Sequence, residues 1–321
     1  MKRCLFILIL IGMVLNAYLT FAEQPFAIIV HGGAGSYGND SVVNQKIKDV
    51  ISFAVEQGYA VLEKGGSAID AVETAIRILE DSPLFNAGKG SVLNEEGFVE
   101  MDASIMDGKT LKAGAVAGVR DFPNPITLAR LVMEKTPHLL FAGEGIERLI
   151  DKFNLKRVAP KSLITPERLE EFKKQKESQR KGTVGAVAID KNGNIAAGTS
   201  TGGMANKMVG RVGDSPIIGA GTYAKNSTCG VSCTGHGEFF IRQSAAFQVS
   251  SLVELGKFPL QKAVEFVLSE IKNMGATGGM IAIDKDCNIA FDYTTMGMPC
   301  GFKSSKGDFK VIIFKEELLN K

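Results

Sequence analysis

The order of apolar and polar positions divides the chain into a short series of elements. Residues 26–30 (FAIIV) form an apolar run of strand length that ends in a glycine-rich turn, His31-Gly32-Gly33-Ala34-Gly35. Over 41–64 the apolar residues fall at helical spacing, and Gly65-Gly66 stops that helix. Ser67 caps a second helix over 68–79, with Asp70 in the first turn, where a negative charge suits the helix dipole. Residues 91–106 read as a hairpin turning at Asn94-Glu95-Glu96-Gly97, and 113–119 as a further strand. Asn124 followed by Pro125 opens a helix to about Lys135.

Between 156 and 181 the pattern fails. The segment KRVAPKSLITPERLEEFKKQKESQRK is dense in charge and poor in large apolar residues, and it reads as a mobile connector with room for a surface helix over 166–179. Strands then return abruptly at 183–189, 194–198, 216–220 and 230–233, with Lys191-Asn192-Gly193-Asn194 as the turn between the first two. Helices follow at 238–255 and 260–273. A hairpin over 279–294 closes the series, and its MIAIDKDCNIAF echoes the earlier AVAIDKNGNIAA. The shared alternation and turn chemistry of hairpins explain that echo as well as duplication does.

Composition narrows the class. The chain has 321 residues, 45% of them hydrophobic, so wholesale disorder is excluded. Its 36 glycines imply tight turns and close backbone approaches. Residues 1–22 stand apart: Lys2 and Arg3 precede an apolar stretch from Leu5 to Leu15, and Thr20-Phe21-Ala22 has small residues where a signal peptidase reads. A membrane anchor would need about 20 apolar residues, so secretion with cleavage after Ala22 is the expectation, to a bacterial periplasm. Removing Lys2 and Arg3 from the 37 basic residues leaves 35 against 35 acidic, which offers no footprint for nucleic acid and no basic membrane patch. Cys229, Cys233, Cys287 and Cys300 remain after Cys4 leaves. Residues four apart in a strand are too distant for a disulfide, and His31, His138 and His236 are too scattered for a zinc site, so buried thiols are expected.

The abrupt strand at Thr183 carries the chemistry. A cut between Gly182 and Thr183 would leave an α-amine and a hydroxyl on one residue. The amine, with a pKa near 8, is a general base at neutral pH, and the hydroxyl is the nucleophile it activates. The β-methyl of threonine restricts χ1. Gly182 leaves room for the hydroxyl to reach the preceding carbonyl. By itself Gly-Thr-Val-Gly is an ordinary strand opening; the charged segment before it gives it weight. Downstream, Thr199-Ser200-Thr201 ends the partner strand of the hairpin beside Thr183. Arg211 and Asp214, three apart in a glycine-rich loop, suit the carboxylate and ammonium of a zwitterion. Cys233-Thr234-Gly235-His236-Gly237-Glu238 is a strand end, turn and helix start able to cradle an oxyanion.

At this point GTVGAVAID, GNIAAGTSTGGMANKMVGRVGDSP and SCTGHGE, with HGGAG, PLFNAGKGSVLN and MDASIMDGKTLKAGAVAGV before them, closely resemble the plant-type asparaginase and isoaspartyl peptidase family of N-terminal nucleophile hydrolases. The resemblance covers about 27–301. It implies an α/β fold, a four-layer αββα sandwich, with self-cleavage between Gly182 and Thr183 into an α-subunit (23–182) and a β-subunit (183–321) that stay together and pair as an (αβ)2 heterotetramer. It implies Thr183 as nucleophile, Thr201 as its hydrogen-bonding support, Arg211 on the substrate α-carboxylate and Asp214 on the α-amine. Thr234 and Gly235 would form the oxyanion hole, with Gly235 also touching substrate, and Asn86 would reach the nucleophile from the α-subunit. It implies no catalytic cofactor, but a structural sodium ion on the backbone carbonyls of Leu79, Glu80, Ser82, Phe85, Ala87 and Lys89; Lys89 is a departure, since the family usually has an apolar residue there. The expected substrates are L-asparagine and β-aspartyl dipeptides. Gly182 before the nucleophile argues against glycosylasparaginase, which usually has Asp there. An inactive binding protein of the same fold is the remaining alternative, and Thr183, Arg211 and Asp214 argue against it. His31 is expected to be a core hydrogen-bonding residue, and HGGAG lacks the spacing of a dinucleotide-binding turn.

Overall fold

The computed structural model describes residues 24–174 and 182–318. The proposed leader and residues 175–181 of the connector lie outside them. Twelve strands among these residues form two sheets. The larger has the order β12-β11-β1-β5-β6-β2-β3-β4, where β1 is Ala27–His31, β2 Met101–Asp107, β3 Ala113–Val119, β4 Leu140–Ala142, β5 Val184–Ile189, β6 Ile195–Thr201, β11 Cys300–Ser304 and β12 Phe309–Ile312. The smaller has the order β10-β9-β8-β7, with β7 Thr222–Ala224, β8 Cys229–Gly235, β9 Gly278–Asp284 and β10 Ile289–Tyr293.

The sheets pack face to face. Helices α1 (Ser41–Glu63), α2 (Ala68–Asp81) and α3 (Pro125–Lys135) cover the outer face of the large sheet. Helix α7 (Ala245–Glu254) and helix α8 (Leu260–Asn273) cover the outer face of the small one. Two smaller helices, α4 (Glu144–Lys152) and α5 (Pro166–Lys173), precede the Gly182-Thr183 junction, and α6 (Gly237–Gln243) follows β8. The result is four layers, αββα.

This layering explains why β1 and β5 read as unbroken apolar runs. In β5, Val184, Ala186 and Ala188 join the core beneath the helices, while Val187 and Ile189 join the core between the sheets. In β1, Ile28 and Val30 face the helices and Ala27 and Ile29 the other sheet. A strand with both faces covered has no polar side to alternate with.

Several expectations change. Residues 216–220 are a turn, and the strand begins later, at Thr222. The expected 91–106 hairpin reduces to an isolated Leu93–Val99 bridge, because β2 pairs with β3 and β6 instead. The expected helix over 238–255 breaks at Ser244, which adopts a left-handed conformation (φ 49°, ψ 49°). The connector is structured as far as residue 174: Arg168 is buried and donates from Nε to the Gly90 carbonyl at 2.6 Å, and Gly90 donates to the Leu163 carbonyl at 3.2 Å. Its few apolar residues are placed to pack: Leu163 joins the core, Val158, Ile164 and Phe172 pack against it, and the Arg168 guanidinium meets a buried carbonyl. No helix among the described residues is long and apolar enough to cross a membrane. Cys229, Cys233, Cys287 and Cys300 are buried thiols; burial pushes Cys229 up to about 12 and Cys287 to about 11.

Candidate active site

Thr183 stands one residue before β5, in the middle of the large sheet. The β5–β6 register pairs Val184 with Ser200, which brings Thr183 opposite Thr201. The two hydroxyls meet: Thr183 Oγ1 donates to Thr201 Oγ1 at 3.1 Å, and both residues are buried. Thr201 is fixed in turn by the Gly203 N–H, which donates to its Oγ1 at 2.9 Å.

The peptide before Thr183 is confined on two sides. A Cβ added to Gly182 would lie 2.5 Å from Thr234 Oγ1 and 2.7 Å from Gly33 Cα. A Cβ on Gly33, whose φ is +101°, would lie between 2.3 and 2.5 Å from the Gly182 N, Cα and C atoms. The HGGAG turn, unassigned to chemistry by its sequence, is thus the wall of the junction. Ala34 N–H donates to Thr234 Oγ1 at 3.2 Å, and Tyr37 Oη donates to the Gly33 carbonyl at 2.8 Å. Gly235, beside Thr234 at the end of β8, is exposed.

Beneath Thr183, His31 Nε2 and Ser232 Oγ lie 3.0 Å apart, and Ser232 Oγ meets Thr199 Oγ1 at 2.7 Å. A Cβ on Gly185 would lie 2.0 Å from that Ser232 oxygen, so the glycine two residues after Thr183 makes way for this bond. Burial lowers His31 to about 3, against a smaller upward effect from the Thr183 backbone. The imidazole is therefore neutral, as a core hydrogen-bonding residue would be.

Arg211 and Asp214 come together at Gly237, two residues after Gly235. Both border the backbone of Gly237: a Cβ there would lie 2.8 Å from Asp214 Oδ1 and 3.2 Å from Arg211 Nη2. Asp214 is buried, and its Oδ2 has no hydrogen bond among the described residues. Burial raises it to about 7, with its own backbone N–H and Arg211 opposing. A buried carboxylate with an oxygen to spare is a seat for an ammonium group.

Residues 23–313 match the family described as Asparaginase. The chain belongs to the asparaginase family. It is 46% identical to the isoaspartyl peptidase of Escherichia coli (strain K12) over 290 residues, 84% of this chain and 90% of that protein. It is 46% identical to the isoaspartyl peptidase/L-asparaginase of Mus musculus, over 86% of this chain and 87% of that one. The Homo sapiens protein of the same name is 45% identical, over 86% and 92%. The αββα layering is the sandwich that the resemblance implied for this asparaginase-family chain.

The structure adds detail at three of the expected site residues. Asn86 Nδ2 donates to the Gly203 carbonyl at 2.7 Å and its Oδ1 accepts from Val92 N–H at 2.9 Å; it holds the Gly202-Gly203 turn that supports Thr201. Glu80, in the carbonyl loop of this asparaginase-family fold, has a buried side chain that accepts from Ser200 Oγ at 2.6 Å and Ile126 N–H at 3.0 Å, and burial raises it to about 8. Lys89 is exposed, so its ammonium does not point into that loop. The Leu79 carbonyl accepts from Ser82 N–H at 3.3 Å and the Glu80 carbonyl from Lys89 N–H at 2.7 Å, which leaves each a second lone pair. Sequence reasoning missed Gly33, Ala34, Lys207 and Glu238. Lys207 is buried, and its Nζ donates to the Glu100 carbonyl at 2.6 Å. HGGAG and MANKMVGR were visible as motifs, but only the tertiary contacts give these residues a place.

Proposed function

We propose that this protein is a self-cleaving amidohydrolase that releases L-aspartate from β-aspartyl dipeptides and L-asparagine through the hydroxyl of Thr183. The observation that carries this reading is the Thr183–Thr201 hydroxyl pair beside a Gly182 held between Gly33 and Thr234. In maturation the Thr183 hydroxyl adds to the Gly182 carbonyl and the Gly182–Thr183 C–N bond breaks, giving an ester. Water then releases a Gly182 carboxylate, and Thr183 is left with a free α-amine.

In turnover that amine takes the hydroxyl proton, and Oγ1 adds to the substrate's side-chain carbonyl. Thr201 orients Oγ1. Thr234 and Gly235 receive the oxyanion. The C–N bond breaks, ammonia or a peptide amine leaves with the proton, and a β-aspartyl ester remains. Water, deprotonated by the same amine, releases aspartate. Arg211 holds the α-carboxylate and Asp214 the α-ammonium, so α-linked aspartyl peptides, which lack a free α-carboxylate at that place, are rejected. Intact mass under denaturing conditions tests the scheme: two fragments splitting at Gly182-Thr183 in the wild type and one chain in Thr183→Ala. An uncut wild-type chain that turns over no β-aspartyl dipeptide would sink it.

The finer features belong to the same reading. A sodium ion on the carbonyls of Leu79, Glu80, Ser82, Phe85, Ala87 and Lys89 is supported by their neutral oxygen donors and by the outward Lys89. Its test is a higher melting temperature in sodium chloride than in choline chloride. The (αβ)2 heterotetramer is tested by light scattering. Export through residues 1–22 to a periplasm is supported by the family match beginning at residue 23, and N-terminal sequencing of the exported protein tests it.

A further inference from the structure

Glu238, in the first turn of α6, is bound to Arg211 at two points. Arg211 Nε donates to Glu238 Oε1 at 2.9 Å and Nη2 to Oε2 at 3.0 Å. A carboxylate on the residue that is to grip the substrate's carboxylate can act in two opposite ways. It can occupy the grip as a competitor, or it can aim the grip.

The geometry separates them. A guanidinium offers two two-point edges, one through Nε and Nη2 and one through Nη1 and Nη2. Glu238 takes the first. The second is bordered by glycines: a Cβ on Gly213 would lie 2.9 Å from Arg211 Nη1, and one on Gly203 3.3 Å from it. Any side chain at either place would crowd that edge. Nη2, which the two edges share, lies beside Gly237 and Asp214: one point beside Gly237 is 3.2 Å from Nη2 and 2.8 Å from Asp214 Oδ1.

We propose that Glu238 is a positioning residue for substrate recognition: it holds the side edge of Arg211 so that the Nη1/Nη2 edge faces the substrate's α-carboxylate next to Asp214. This rests on the reading of Arg211 and Asp214 given above. Holding a long side chain in one rotamer before binding removes an ordering cost from the binding step. The loss of Glu238 therefore falls on KM more than on kcat.

Charge gives a second, independent readout. The charged and titratable groups around Asp214 are Arg211 on its own loop, Glu238 on α6, Asp102 on β2 and the Cys233 thiol on β8. Arg211 favours the ionised carboxylate; Glu238 and Asp102 oppose it. Neutralising Glu238 removes one opposing anion, so Asp214 ionises at lower pH. Because Asp214 must be ionised to hold an ammonium, KM rises as pH falls through its titration. In the variant that rise moves to lower pH.

The experiment compares wild type, Glu238→Gln and Glu238→Asp as the matured two-fragment enzymes, with β-aspartyl-leucine as substrate, from pH 5 to 9. Glu238→Gln should raise KM at pH 8 by about tenfold, on the order of one charge-assisted hydrogen bond, with a smaller change in kcat, and should shift the acid rise in KM downward. Glu238→Asp keeps the charge and shortens the reach. It should give a KM between the two with the acid rise at its wild-type pH. If Glu238→Gln does not mature, the Asp variant alone decides by its raised KM. An unchanged KM in the variants would overturn the proposal, and a lowered one would show Glu238 to be a competitor. A wild type inert toward β-aspartyl-leucine would instead fail the reading of the function.

Discussion

The junction between Gly182 and Thr183 is built from contacts that tolerate no extra atom. Gly33 has a positive φ of +101° and its missing Cβ would fall on the Gly182 backbone. Gly33→Ala therefore combines a conformation that L-residues avoid with a clash against main chain, which cannot swing aside as a side chain can. Self-cleavage should slow by at least tenfold, read as the fraction of uncut chain against time by intact mass. Maturation at the wild-type rate would mean that Gly33 does not shape the junction. Asp214 gives a pH prediction. Its carboxyl ionises near 7 in the empty site, and the free amine of Thr183 is expected near 8. In the proposed mechanism both are deprotonated for substrate to bind and react. Below pH 7 the logarithm of kcat/KM should fall with a slope near two, and that of kcat with a slope near one, because bound ammonium keeps Asp214 ionised. A slope near one in both plots would remove Asp214 from the binding of the amine.

At the scale of elements, the two echoing hairpins turn out to share their turn chemistry. Asp190 accepts from the N–H groups of Asn192 and Asn194, and Asp284 from those of Asp286 and Asn288. The residues before Asn194 and Asn288 are left-handed, Gly193 at φ +74° and Cys287 at φ +61°. Nothing lies within 4 Å of a Cβ built on Gly193, so Gly193→Ala isolates the conformational cost. It should destabilise by about 1–2 kcal/mol in urea unfolding, and a neutral result would mean that the turn relaxes. Such turns were legible because Asp, Asn and Gly at fixed offsets act locally. The same holds for α8, whose limits match the expectation, and for β5, whose two buried faces leave a continuous apolar run. What sequence could not give is set by distant partners. Ser244 breaks a helix although no glycine or proline marks the place. Cys300–Ser304 is a strand because β1 offers it an edge. The residues of the site divide in the same way. Thr183 and Thr201 followed from one hairpin's register, whereas the contact of Gly33 with Gly182 spans most of the N-terminal half and left no local signal.

At the scale of the whole molecule, the sheet order decides what a cut at Gly182 does. The strands before the junction are β1 and β2 to β4, and those after it are β5 to β12. In the large sheet β1 lies between β11 and β5, and β6 pairs with β2. The two parts are therefore interleaved across hydrogen-bonded ladders, β1 with β5 and β11, and β2 with β6. They also share one core, in which Ile28, Val30, Leu79 and Ile105 pack with Val184, Ala186 and Ala196. Separating them would expose that core and unpair three ladders at once, a cost comparable with unfolding the domain. Cleavage should leave native size unchanged, with the two fragments appearing only after denaturation. Mixing separately purified, denatured fragments should restore the particle only by refolding them together. Light scattering of the cut protein before and after urea reads this directly. Release of either fragment in native buffer would mean that the interleaved ladders do not bind the two parts, and that the junction peptide itself holds the molecule together.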